Sequence, residues 1–198
     1  MTTAERLARA KTDVDAVYEA GRKSEWNNFW DAYQENGERI NYYFLFSYAG
    51  WTDDNFNPKY TITCSGDTGG ISVFANSTRI TRVPVDIIIT GTSAAQLFYR
   101  TTSLETVKML SLNGVTSYSG TFTACSKLKD ITIDGSIDVA FNISATAVLS
   151  NESVQSIIDH LKDLTGQTAQ KVTFHTDILL ALTETQMAEI KSKNWTLG

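Results

Sequence analysis

Phe122-Thr123-Ala124-Cys125-Ser126-Lys127-Leu128-Lys129-Asp130-Ile131-Thr132-Ile133 is the stretch that decides how this chain is read, because its apolar residues recur upstream at a fixed distance. Laid against itself with an offset of 24 residues, the chain puts Phe74, Phe98 and Phe122 at one position. Further along each copy stand Ile80, Leu104 and Leu128, then Val83, Val107 and Ile131, then Val85, Met109 and Ile133. A fixed period in this range is the mark of stacked repeats, each burying its apolar face on the next. The last two columns are separated by one residue, a spacing that sends both side chains to the same face of a strand. Each repeat is therefore expected to give one short strand with that face inward, the phenylalanine and the Ile or Leu filling the space behind it.

Between these columns the positions Ser77, Thr101 and Cys125, followed by Thr78, Thr102 and Ser126, are small and hydrogen-bonding. Such groups can satisfy backbone atoms that a tight turn leaves buried. Cys125 belongs to that column, and apart from Lys127 no motif places a thiolate-stabilising residue near it, so it reads as structural. The repeats run over about 74–97, 98–121 and 122–145, and the period fails where Thr146 and Glu152 replace Phe and Leu, so a cap is expected over 146–198. Val154, Ile157, Ile158, Leu161 and Leu164 form one helical stripe, entered through Ser150 or Asn151 and closed by Gly166. Val172 and Phe174 predict another inward-facing strand, and Thr183-Glu184-Thr185-Gln186 has the capping-box pattern for a short helix carrying Met187 and Ile190. Trp195 and Leu197 would finish the stack.

The first 36 residues read as an amphipathic helix forming a unit of its own, distinct from the repeat and cap unit over 37–198. Leu7, Ala10, Val14, Val17, Gly21 and Ser24 make a weak heptad seam, and Trp26, Phe29, Trp30 and Tyr33 crowd aromatic surface onto the end of the same helix before Asn36-Gly37 stops it. Leu7, Val14, Val17, Trp26, Phe29 and Trp30 are the expected docking or homo-oligomerisation face. The aromatic run Tyr42, Tyr43, Phe44, Leu45, Phe46 and Tyr48, with a turn at Asp53-Asp54-Asn55, predicts a hairpin or irregular cap. Those acidic residues lack the alternating ligand spacing and bidentate Glu of a calcium loop, so no metal site is assigned to them.

With 198 residues, 42% of them hydrophobic and 20% charged, the chain can bury a core and is expected to fold. A formal charge of -5 supplies no footprint for a phosphate backbone, which argues against nucleic-acid binding. No window reaches the length of about 20 apolar residues needed for a membrane span, so no membrane insertion is expected. Met1 to Arg6 has none of the features of a secretory signal, which predicts a cytoplasmic or particle-borne protein. Cys64 and Cys125 form no C-x-x-C and read as reduced, and the four sequons beginning at Asn76, Asn142, Asn151 and Asn194 read as chance matches. His160 and His175 lie in no recognisable catalytic signature, and Gly66-Asp67-Thr68-Gly69-Gly70 lacks the Lys-Ser/Thr of a phosphate loop. No catalytic residue, metal or cofactor is assigned.

The Phe122 to Ile133 unit resembles the F-x-x-C-x-x-L-x-x-I-x-I repeat of BspA-like leucine-rich-repeat proteins, with Phe98 to Met109 and Phe74 to Val85 as weaker copies. Ser156 to Gly166 and Lys193 to Leu197 are similar to the terminal segment of such proteins in gut bacteria and their prophages, and Val17 to Tyr33 with Gly50 to Asp54 to the leader of phage-associated members. The resemblance covers about two thirds of the chain. It implies an α/β leucine-rich-repeat-like solenoid with an N-terminal helix and a helical cap, and non-enzymatic binding of a protein or cell-surface glycan. The expected role is a virion or tail-associated protein for attachment or assembly. The alternative is a surface adhesin, reaching the cell surface by a non-classical route, or an intracellular interaction module. This chain shows neither the export nor the wall-anchoring signals that such adhesins normally carry.

Overall fold

A computed structural model describes residues 47, 51–54, 56, 58, 61–64 and 70–198. The expected N-terminal helix, its docking face and the aromatic run from Tyr42 to Phe46 lie outside the described residues. The described chain is a mixed α/β structure with two parallel sheets and few helices. Strands β1 (Ile62–Cys64), β2 (Arg82–Ile89), β3 (Thr106–Ser111) and β4 (Asp130–Asp134) lie side by side in sequence order. All pairings are parallel, and Val83, Val107 and Ile131 are register partners. Strand β2 alternates strictly, with Val83, Val85, Ile87 and Ile89 buried and the residues between them more open, as a strand with one face on a core must.

The expected column of Val85, Met109 and Ile133 does not form. Register shifts between Val83 and Asp86, and again between Val107 and Leu110, pair Ile87 with Leu110 and Leu110 with Ile133. A bulge inserts one residue into a ladder and turns the following side chains over. Met109 is consequently turned partly outward, and Leu110, fully buried, takes the core position.

The segments before β2, β3 and β4 stack on one another through a second ladder. The amides of Ser72, Phe74 and Asn76 donate to the carbonyls of Ala95, Leu97 and Tyr99, and those of Gln96, Phe98 and Arg100 to Ser119, Thr121 and Thr123. The intervening amides close turns within a segment, as Leu97 to Ala94, Tyr99 to Gln96 and Thr101 to Phe98. Half the amides thus bond between segments and half within them, so buried backbone is not left unpaired. This geometry needs two left-handed residues per repeat: Ser72, Gln96 and Gly120 at φ 55, 56 and 67°, and Asn76, Arg100 and Ala124 at φ 61, 55 and 61°.

Inside, Phe74 stacks on Phe98 at 5.3 Å and Phe98 on Phe122 at 5.8 Å. Each buried ring contributes about 1.5–3 kcal/mol by leaving water, with roughly 0.5–1.5 more per ring pair. The hydroxyl column bonds between repeats: Thr101 Oγ1 donates to the Phe74 carbonyl at 3.1 Å, and Cys125 Sγ to that of Phe98 at 2.9 Å.

Both ends of the stack are closed. Phe56 and Trp51 continue the ring series beyond Phe74 in edge-to-face contacts at 5.8 Å. The Asp53 carboxylate accepts from the Thr81 amide at 2.9 Å and from the Thr81 hydroxyl. In the next repeats the matching amides, Glu105 and Lys129, donate to the carbonyls of Thr81 and Glu105. Asp53 therefore stands in for the carbonyl of a preceding repeat from within the expected turn, which forms at Asp53 and Asp54.

At the other end the Ser150 amide donates to Lys129 O, continuing the same series, but a helix follows instead of a strand. Helix α1 (Asn151–Asp159) is capped by the Ser150 side chain. Ser153 and Ser156 accept from the β4 amides of Ile131 and Ile133 at 2.8 and 2.9 Å, closing the open edge of the sheet. The helix ends at Asp159 and not near Gly166, because Leu161 leaves it to bridge with Ile137. Strands β5 (Phe141–Asn142), β6 (Gln170–Thr173) and β7 (Trp195–Leu197) form the second sheet. Phe141 continues the ring series against Phe122 at 5.7 Å. Helix α2 (Thr176–Ala181), which sequence reading missed, precedes α3 (Glu184–Ser192), whose expected capping box is present. Ile190 is buried under α3, whereas Met187 and Leu197 face outward, with 40% and 38% of their surface open.

Candidate functional site

The beginnings of β2, β3 and β4 and the first turn of α1 line a groove of about 410 Å3. Arg82, Thr106 and Asp130 are register partners and form one row straight across the strands. Pro84, Lys108 and Thr132 flank the next positions, and Ser150, Glu152 and Ser153 form the wall on the helix side. These are the outward neighbours of Val83, Val107 and Ile131, whose inward side chains hold the strands in place. Alternation thus fixes both sets at once: core residues on one side, groove residues on the other.

The groove is polar and charged. Arg82, Lys108, Thr132 and Glu152 are exposed, while Thr106 and Asp130 are half-buried. Lys108 pairs with Asp86 at 3.1 Å, with 59% of the lysine side chain still open. Arg82, Asp130 and Glu152 have no ion-pair partner among the described residues. The two serines of the wall have structural work: Ser150 and Ser153 hydroxyls lie 2.9 Å apart, and Ser153 also bonds β4. No histidine or cysteine lines the groove. Its chemistry is that of ion pairs and hydrogen bonds to something laid across the strands.

Sequence reading named the inward column and missed the groove; the residues on either side of each column member were the signal. All nine core positions, Phe74, Ile80, Val83, Phe98, Leu104, Val107, Phe122, Leu128 and Ile131, are at most 3% exposed. The candidate docking residues Leu7, Val14, Val17, Trp26, Phe29 and Trp30 lie outside the described residues. Of the glycine-rich turn only Gly70 is described; a side chain there would collide with the Ser93 carbonyl of the next repeat.

Both histidines serve helix ends. His160 follows α1, and its ring Nδ1 donates to Ser156 O at 2.7 Å. His175 caps α2, Nδ1 accepting from the Asp177 amide at 3.2 Å. Cys64 and Cys125 are free and buried, and burial pushes both thiols up to about 12. Burial, and then the Asp138 charge, raises the Tyr118 hydroxyl, which donates to Val115 O at 3.1 Å. Partial burial works to raise Asp138 itself, but hydrogen bonds from Lys162 and Ser136 and the lysine charge outweigh it and hold the carboxylate low.

Among the described residues no cluster of three or more His, Cys, Asp or Glu could hold a metal ion, and no helix is long and apolar enough to cross a membrane. No protein-family model matches the chain, and neither a curated protein nor a solved structure is significantly similar to it.

Proposed function

We propose that the chain is a non-enzymatic leucine-rich-repeat-like solenoid of the BspA-like kind, which binds a partner through the groove across β2 to β4. The observation that carries this reading is the coincidence of features at one 24-residue step: stacked phenylalanines, paired left-handed turns and a parallel strand. The hydroxyl and thiol bonds from Thr101 and Cys125 keep the same step. Repeat stacks of this type present an extended surface whose outward residues vary while the core columns hold. Supporting the binding role over catalysis, His160 and His175 are tied to helix ends and both thiols are buried.

Its place is a virion or tail-associated particle, in attachment or assembly, with the N-terminal helix as the docking or oligomerising element. Mass spectrometry of density-purified particles from the source strain tests this. Stoichiometric recovery in particles is the expected result. Recovery by protease shaving of intact cells would assign the chain to a surface adhesin, and recovery only in the soluble lysate to an intracellular interaction module.

A further inference from the structure

We infer that the groove takes an extended stretch of polypeptide bearing one acidic and one basic side chain, not a neutral glycan; this rests on the binding role proposed above. The row Arg82, Thr106, Asp130 runs from cation through hydroxyl to anion on three neighbouring strands. Two strand spacings separate its ends by about 10 Å. Glu152, on the helical wall beyond β4, extends the anionic end, while Lys108 on the central strand is paired with Asp86.

Arg82, Asp130 and Glu152 have no ion partner among the described residues, although side-chain pairing is available elsewhere on the surface, as between Lys162 and Asp138. Covering such charges with a neutral ligand would remove water from them without replacing its hydrogen bonds, which is costly. The lining residues include no aromatic ring, so a sugar face finds no platform to stack on. Concavity excludes a second copy of the same groove, since two hollows do not fill each other.

An extended chain advances about 3.3 Å per residue and turns alternate side chains to opposite faces, so an acidic and a basic side chain that both face the groove sit two positions apart, and their own length spans the rest of the roughly 10 Å between the charges. Thr106 and Thr132 also line the groove and offer hydroxyls to the peptide groups of such a chain.

Nitrogen-15 chemical-shift titration of the full chain tests the inference and detects millimolar binding. The probes are a blocked hexapeptide with Glu and Lys two residues apart, the same peptide with both replaced by Gln, and cellohexaose. The expected result is that the charged peptide alone moves the amides of Thr106, Asp130 and Thr132. Its Kd should weaken about fivefold in Arg82→Gln and in Asp130→Asn, the scale of one exposed ion pair. Both positions are on the surface, and unchanged spectra away from the groove certify the fold of each variant.

Equal shifts from the neutral peptide, or a charged-peptide Kd indifferent to both variants, would overturn the charge-matched ligand. Cellohexaose moving the groove amides would overturn the ligand class while leaving a binding groove intact. If no probe moves them, the ligand inference falls together with the groove's assigned role.

Discussion

The two sheets of this protein are held by different kinds of bond. From Gly70 to Asp134 the same contacts return with each repeat: ring on ring, amide to the carbonyl of the next segment, Thr101 and Cys125 to the phenylalanine carbonyl of the previous repeat. From Phe141 onward the strands shrink to between two and four residues, and unlike elements are tied by individual side chains. Trp195 Nε1 donates to Lys162 O at 2.8 Å, Lys193 Nζ to Ile158 O at 2.8 Å, and Gln186 bridges α3 to Asn151 and Gln155 of α1. A periodic region needs only that each column keep its residue type. An aperiodic one needs particular residues at particular places.

Truncating a column should therefore cost most. Phe98→Ala removes a fully buried ring that stacks on both neighbours, and should destabilise by about 3–5 kcal/mol by lost transfer energy plus cavity. Denaturant melts measure it; a change under about 1 kcal/mol would mean that the stack does not carry the first sheet. The seam between the regions comes next. Ser153→Ala leaves the buried Ile131 amide without its acceptor and should cost about 1–3 kcal/mol. Hydrogen exchange should show Ile131 and Ile133 amides opening faster while the Val107 amide keeps its protection. Uniform loosening of all three would mean that helix and sheet unfold as one unit.

The contrast between regions also decides what could be read in advance. Phe74, Phe98 and Phe122 were legible because identical surroundings select identical residues. Met109 was misplaced because a bulge shifts pairing without a sequence mark, and Leu110 looks like an ordinary neighbour until the register is seen. Ser150 was legible as a cap, but not where α1 ends: Leu161 and Leu164 keep helical spacing although they are buried from non-helical backbone. The turn at Asp53 was legible but the role of its carboxylate was not, since the partner Thr81 lies 28 residues away and the carboxylate imitates a backbone group. The groove was half legible: Arg82, Thr106 and Asp130 follow from alternation, but their alignment depends on register.

Raising the pH tests whether the periodic interior stays closed. Both thiols ionise only at about 12 when folded, against an ordinary value of 9.0. A group whose pKa is raised by folding supports the fold below its unfolded value. That support is lost as pH climbs from about 9 toward 12, where the unfolded chain releases the proton and the folded one does not. The loss should reach on the order of 1 kcal/mol per thiol at pH 10. Melts of the protein and of Cys125→Ser between pH 8 and 10 should diverge accordingly, the variant showing the shallower decline; parallel curves would place Cys125 in contact with water.

A last contrast between the two regions is one of sign and not of size. Ala124 and Asn194 both hold left-handed backbone, at φ 61 and 60°. For alanine that conformation costs about 1–2 kcal/mol with nothing gained from its side chain, which is exposed. Ala124→Gly removes the strain but frees the unfolded chain by about 0.5–1 kcal/mol, so a net stabilisation of no more than about 1.5 kcal/mol is expected. Asn194, just past the end of α3, occupies the same conformation for a different reason. Its Nδ2 donates to Leu164 O at 3.1 Å and Gln167 O at 2.9 Å, joining the last turn to the loop after α1. Asn194→Gly keeps the backbone geometry and loses both bonds, so it should destabilise, by about 1–2 kcal/mol. Urea melts of the two variants compare the regions with one chemical change. If both substitutions shift stability in the same direction, side-chain bonding is not what separates the C-terminal region from the repeats, and the backbone ladder must hold both.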